Sequence, residues 1–294
     1  MAARPPTCVA TSPAAHRSPN RLTWPLNYHR GYESRCRDCC RLRVGGLASN
    51  RARPCRAGHG DHPRSALSEL AELEDPRALV FDLDGTLVDT VETRIQAWLQ
   101  VFKEVRIAAD RDHVARLIGS DGKRLAHEVA DVAGRPINDD KAEAIDKRCG
   151  EIYDTLNTNP QPTHGAHDLL TALNGSNLPW AIATSSRKEQ TRVSVKALGL
   201  DHEPRIVDGS HVEHAKPAPD LLLLAAEQLD LPASTCWYVG DSSWDMQAAT
   251  AARMTAVAVA YGAVSGETLT RAGANVITTL SALQAELKRR DLLS

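Results

Sequence analysis

From residue 77 onward, short apolar runs alternate with amphipathic stretches, the pattern of strands followed by helices. Residues 78–82 form an apolar run ending in an acid and read as a buried strand. Residues 91–105 place Ile95, Trp98, Leu99 and Phe102 on one helical stripe. No strand pattern appears between about residues 90 and 162. Helices are predicted there over 112–118, 123–133 and 139–156. The last opens with Asn138-Asp139-Asp140, side chains suited to capping and to the helix dipole. After a helix at 167–173, strands at 180–184, 205–208, 236–240, 255–260 and 275–278 alternate with helices at 187–198, 220–229, 244–252 and 281–290. A short helical stretch at 65–74 precedes the first strand.

Strand–helix alternation implies a parallel sheet covered on both faces. The expected fold is therefore α/β, a three-layer Rossmann-like core built from residues 65–89 and 163–294. The helical block at 90–162 interrupts it after the first strand. It reads as a smaller all-helical cap over the carboxyl end of the sheet, a candidate lid.

Composition adds a boundary. Residues 1–74 hold 12 Arg, no Lys and 6 acids, a net of +6, whereas residues 75–294 hold 23 basic and 31 acidic residues, a net of −8. The first 64 residues are rich in Pro, Arg, Ser and Gly and lack hydrophobic periodicity, so they are expected to be disordered or a non-native extension. An organellar transit peptide is the second reading of that segment. Its Cys36, Cys39, Cys55, His59 and His62 mimic a zinc pattern without a clean second ligand pair, and no zinc site is expected there. The acidic body has no field suited to nucleic acid, and no stretch is long and apolar enough to span a membrane. Cys149 and Cys236 are too few for a disulfide framework, which fits a reducing cytoplasm.

Candidate chemistry gathers at strand ends, where an open parallel sheet places its ligand crevice. Asp82 and Asp84, spaced i and i+2, point to one face, and two such acids need a cation or a shared proton to coexist. A divalent metal with acid–base chemistry would meet that need. Thr86 follows them. Thr184-Ser185-Ser186 offers hydroxyls and free amides to a phosphate oxygen. Lys216, followed by Pro217 and Pro219, is a fixed positive charge. Asp241 ends a strand, and Asp245 lies one helical turn further on, on the same side. Any one of these could be a simple cap or a surface charge; four in order, each at its own strand end, point to one site.

DLDGTLVDT, IATSS, AKPAPD and GDSSWD resemble, in order and spacing, the four motifs of the haloacid-dehalogenase-like hydrolase superfamily. The likeness is to its phosphoglycolate-phosphatase-like branch with a helical cap, and it runs from about residue 78 to the C-terminus. The resemblance implies a Mg²⁺-dependent phosphatase acting on a small phosphorylated metabolite. Asp82 would be the nucleophile, forming an aspartyl-phosphate, and Asp84 the general acid and base. Mg²⁺ would be held by the Asp82 carboxylate, the Asp84 carbonyl and Asp241, with Asp245 close behind, acting through water or by orienting Lys216. Thr184, the Ser185 amide and Lys216 would grip the phosphoryl group. An acid at Asp84 argues against dehalogenase chemistry. Sugar phosphomutases of this type usually carry a His twelve residues after the nucleophile; the position is Arg94 here, which makes a mutase the second reading. A binding protein that has lost catalysis is the third.

Family members usually place Gly where this chain has Arg253, at the end of a helix. The loop from Ile118 to Arg124, hinged on glycine, would reach over the site, where Lys123 or Arg124 would meet a carboxylate or second phosphate of the substrate. The expected partner is the metabolite alone, with the protein a monomer or homodimer.

Overall fold

The computed structural model describes residues 66–294; the N-terminal extension, its zinc-like pattern and its transit-peptide reading lie outside the described residues. The chain begins with helix α1 (Ala66–Ala71), strand β1 (Ala78–Phe81) and the two-residue β2 (Val88–Asp89). Four helices follow: α2 (Val91–Glu104), α3 (Arg111–Leu117), α4 (Gly122–Val132) and α5 (Asp139–Leu156). The two-residue β3 (Gln161–Pro162) then pairs antiparallel with β2. This small ribbon is a departure from the strand-free stretch expected before residue 162. Two residues carry no periodicity, so nothing in the sequence could mark it.

Beyond the ribbon the chain continues through α6 (Ala166–Asn174), β4 (Trp180–Ala183), α7 (Lys188–Ala197), β5 (Ile206–Val207) and α8 (Asp220–Gln228). It closes with β6 (Cys236–Gly240), α9 (Ser243–Ala252), β7 (Thr255–Val259), α10 (Gly266–Arg271), β8 (Val276–Thr278) and α11 (Leu280–Arg289). Helix α10 was not anticipated: it is six residues long, with Leu269 its only buried residue, too little for an amphipathic stripe.

Six strands form one parallel sheet in the order β5-β4-β1-β6-β7-β8. Period-two alternation sorts their side chains. Leu79, Phe81, Trp237 and Val239 pack with α1, α6 and α11 on one face. Val80, Tyr238, Ala256 and Ala258 pack with α8 and α9 on the other. The result is a three-layer α/β sandwich. Because the chain moves from β1 to β4 and β5 on one side and then crosses to β6 on the other, the order reverses beside β1, and a crevice opens at its carboxyl end.

Helices α2 to α5 bury their own apolar cluster, with Ile95, Trp98, Phe102, Val129, Ile145 and Tyr153 among its members. Trp244 of the core's α9 also belongs to that cluster. Side-chain caps start three of these helices: Asp110, Asp121 and Asn138 accept from the backbone amides of His113, Arg124 and Lys141.

Arg253 ends α9 in the left-handed region, with φ 61° and ψ 28°. A residue with a Cβ costs about 1 kcal/mol there relative to glycine. Arg253 is exposed, and its side chain makes no hydrogen bond or ion pair among the described residues. Arg253→Gly is therefore expected to raise the melting temperature by about 2–4 °C; an unchanged or lower melting temperature would show that the backbone is not strained.

Candidate active site

The chain places its acids at the site by strand termination. Asp82 follows the last residue of β1, and its amide donates to the Val239 carbonyl of β6 at 2.8 Å. Gly85, at φ 87°, turns the chain immediately afterwards. That turn brings Thr86 under β6, where its hydroxyl donates to Asp241 Oδ1 at 2.9 Å. Asp241 follows β6, Thr184 follows β4, and Lys216 lies in the loop between β5 and α8.

Lys216 is only 1% exposed. Its ammonium donates to Asp82 Oδ1 at 2.5 Å and to Asp245 Oδ1 at 2.8 Å, and lies 5.3 Å from the centre of the Tyr238 ring. Burial alone would lower its pKa, but Asp245 and Asp82 together hold it above the ordinary lysine value. Asp245 has every acceptor position filled. Its Oδ1 also accepts from the Tyr238 hydroxyl, and its Oδ2 accepts from the Ser242 amide and hydroxyl in a capping box at the start of α9. Burial opposes its charge, yet Lys216 and these donors keep its carboxyl below the usual range.

Asp82 and Asp241 are less well served. Burial raises Asp82 to about 7 against the pull of Lys216. Burial, then Asp245 and Asp82, push Asp241 well above the carboxylate range, with only Thr86 and Lys216 opposing. Asp82, Asp241 and Asp245 offer ligand atoms within 4.8 Å of one another. Counting each group as ionised, Asp82, Asp84, Asp241 and Asp245 outnumber Lys216 and Arg94 by two charges. An all-oxygen donor set with that surplus fits a hard divalent cation. Room for one is kept beside Asp241 Oδ2: a Cβ on Gly262 would stand 2.0 Å from that oxygen, and one on Gly85 2.5 Å.

Asp84 sits on the other side of Asp82, gripped by four donors. Oδ1 accepts from Thr90 at 2.8 Å and from Tyr153 at 3.3 Å. Oδ2 accepts from the Ser186 hydroxyl and pairs with the Arg94 guanidinium at 3.3 Å. Arg94 also donates to Ser186 and Gln190 and stacks 3.7 Å from the centre of the Tyr153 ring.

A cavity of about 470 Å³ lies over these groups, between core and cap. Asp82, Asp84, Thr184, Ser185 and Lys216 line its floor. Ser185 Oγ is buried without a hydrogen-bond partner among the described residues. Thr86, Asp241 and Asp245 lie behind the floor rather than in it. Lys123 and Arg124 are not part of the lining: both are exposed on α4, and the Arg124 guanidinium lies 4.7 Å over the Trp244 ring. Cys149 does line the cavity, but burial pushes its thiol up to about 12, so it brings no thiolate to the site.

Sequence reasoning did not anticipate Thr90, Tyr153, Ser186 or Gln190 around Asp84. Arg94 did leave a trace. It stands one helical turn before Trp98, a charge on the buried stripe of α2.

Residues 79–259 match the family of haloacid dehalogenase-like hydrolases. The chain belongs to that family. It falls in the phosphoglycolate-phosphatase-like branch. The hydrolase is 31% identical over 187 residues to fructose-1-phosphate phosphatase YqaB of Escherichia coli, covering 62% of this chain and 95% of that protein. It is 30% identical over 192 residues to β-phosphoglucomutase of Bacillus subtilis, covering 63% of this chain and 84% of that one. Among solved structures, a hydrolase from Pseudomonas syringae superimposes with a TM-score of 0.68 at 33% identity, covering 72% of this chain and 98% of the other. No helix among the described residues of the hydrolase is long and apolar enough to cross a membrane.

The charge geometry makes a direct prediction. Lys216→Met leaves Asp82 and Asp245 buried without their cation, and is expected to cost about 3–5 kcal/mol of stability. Asp82, already raised in the wild type, is then raised further, and Asp245 loses the cation that keeps it low. The deficit should therefore shrink as pH falls and the acids neutralise, and grow as pH rises. Urea midpoints measured at about pH 5 and pH 8 test this; a deficit independent of pH would show that Lys216 does not neutralise these acids.

Proposed function

We propose that the chain, a phosphoric monoester hydrolase, cleaves a small phosphorylated metabolite through an aspartyl-phosphate formed on Asp82, with Mg²⁺ as its cofactor. One observation carries this reading: Asp82 lines the cavity with one oxygen held by Lys216, while Asp84, two residues on, lies within the same floor.

In the first half-reaction Asp82 attacks phosphorus, the ester P–O bond breaks, and the leaving oxygen takes a proton from Asp84. In the second, Asp84 accepts a proton from water, the water oxygen attacks phosphorus, and the Asp82–phosphorus bond breaks. The sum is ester plus water giving alcohol plus inorganic phosphate. Thr184, Ser185 and Lys216 serve the equatorial phosphoryl oxygens, where negative charge is spread through both steps. Asp245 acts through Lys216, since its own acceptors are taken. Thr86 acts through Asp241.

Mg²⁺ would be held by Asp82, Asp241 and the Asp84 carbonyl. Bound there, it supplies positive charge that Lys216 alone does not provide. Lys123 and Arg124 have no part in this scheme. Arg94, which pairs with Asp84, favours hydrolysis over the mutase reading, in which a His is usual at that position. The partner is the metabolite alone, with neither nucleic acid nor membrane. Cytoplasmic residence belongs to the same proposal, in keeping with the two cysteines among the described residues, Cys149 and Cys236, which are buried and unpaired.

Three experiments test the scheme. Asp82→Asn should abolish phosphate release from p-nitrophenyl phosphate, and retained turnover would remove Asp82 as nucleophile. EDTA should abolish the wild-type activity and excess Mg²⁺ restore it. Gly262→Ala, which crowds Asp241 without demanding an unusual backbone, should weaken activation by Mg²⁺ about 10–100-fold in apparent affinity. Unaltered Mg²⁺ activation in that variant would place the ion elsewhere.

A further inference from the structure

The floor of the cavity accounts for the phosphoryl group; the remaining wall faces whatever alcohol carries it. Resting on the phosphatase reading above, we infer that this wall selects an uncharged polyol, so that the substrate is a sugar or sugar-alcohol monophosphate and not a phosphorylated carboxylic acid or a bisphosphate.

The first argument is the supply of cations. Besides Lys216, the lining contains two, Arg94 and Arg187. Arg94 is consumed by Asp84, Ser186, Gln190 and the Tyr153 ring. Arg187 is paired with Asp146 at 2.6 Å. Lys123 and Arg124, the remaining cations of the adjoining loop and helix start, lie outside the lining. A second phosphate or a carboxylate would find no cation in the lining whose charge is not already matched by a carboxylate.

The second argument is what the wall offers instead. Asp121 and Glu213 line the cavity and form no ion pair among the described residues. Asp121 uses one oxygen to cap α4, accepting from the Arg124 amide at 2.9 Å, and keeps the other. Carboxylates accept hydrogen bonds and donate none, so they suit hydroxyl groups and repel a second anion. Ser120 and Ser210 add hydroxyls to the same lining. The volume of about 470 Å³ lies in the range of pockets that enclose a whole small molecule. Phosphate is only a fraction of that. The wall is thus built for a ligand larger than phosphate, rich in donors and carrying no further negative charge.

Phosphate release should be measured on p-nitrophenyl phosphate, a set of hexose and pentose monophosphates, glycerol phosphate, phosphoglycolate and a hexose bisphosphate. At least one sugar or polyol monophosphate should exceed phosphoglycolate and the bisphosphate in kcat/KM by about 100-fold or more. The double variant Asp121→Asn, Glu213→Gln keeps the helix cap, because Asn caps as well as Asp. It should raise KM for the preferred sugar phosphate about tenfold, with a smaller change in kcat. It should also narrow the gap to phosphoglycolate. Preference for phosphoglycolate or the bisphosphate in the wild type, or unchanged KM in the variant, would overturn the inference while p-nitrophenyl phosphate turnover leaves the phosphatase reading standing. No turnover of any ester with Mg²⁺ present would overturn both.

Discussion

The ammonium of Lys216 lies between the carboxylates of Asp82 and Asp245, 2.5 and 2.8 Å away and almost sealed from solvent. Such a cation could not remain charged in a buried position without those acids, nor could the acids without it. The two carboxylates are nevertheless treated differently. Asp245 stands in the first turn of α9, where the helix dipole and four protein donors fix it as an anion. Asp82 receives one ammonium and lines the cavity. One acid is spent on holding Lys216 in place, and that leaves the other for the proposed chemistry. The surplus negative charge around Asp241 belongs to the same arrangement, since one buried lysine cannot balance every acid there.

Topology makes this balance attainable. Asp82 and Lys216 are 134 residues apart, and they meet because β1, β5 and β6 all release their chains at the same edge of the sheet. No helix or hairpin could gather them locally. The glycine turn at Gly85 then lets Thr86 reach back to Asp241, so the segment that carries the proposed nucleophile also props up a candidate metal ligand.

This explains which parts were legible in the sequence. Asp82, Asp84, Thr184 and Asp241 stand at or just beyond apolar runs, and the end of a parallel strand is a place that periodicity can locate; Lys216 lies in the loop after β5 and is marked instead by Pro217 and Pro219. The expectation for Lys123 and Arg124 rested on their nearness to a glycine-hinged loop. Helix phase decides otherwise: Leu125, Ala126 and Val129 turn inward on α4, which carries the two charges outward. The donors around Asp84 were illegible for another reason. Thr90, Tyr153 and Ser186 come from a hinge, a cap helix and a core loop, and their convergence depends on how cap and core are set against each other. Local pattern carries no information about that.

The same convergence bears on how the cap and the chemistry are connected. Apart from Trp244, the cap's apolar cluster is its own, and the links to the core are largely polar: Arg187 to Asp146, Gln190 to Asp154, Arg94 to Ser186 and Gln190. Contacts of that kind, where exposed, are individually worth little. A small polar interface does not bind a cap as firmly as a continuous apolar one, and the only strand pairing at the junction among the described residues is two residues long. Two of the groups that cross it, Arg94 and Tyr153, end on Asp84. Any displacement of the cap must therefore withdraw donors from the proposed acid–base residue, whereas Asp82, Lys216 and Asp245 are all core residues and keep their contacts. In this scheme the nucleophile is organised by the sheet alone, and proton transfer depends on the cap.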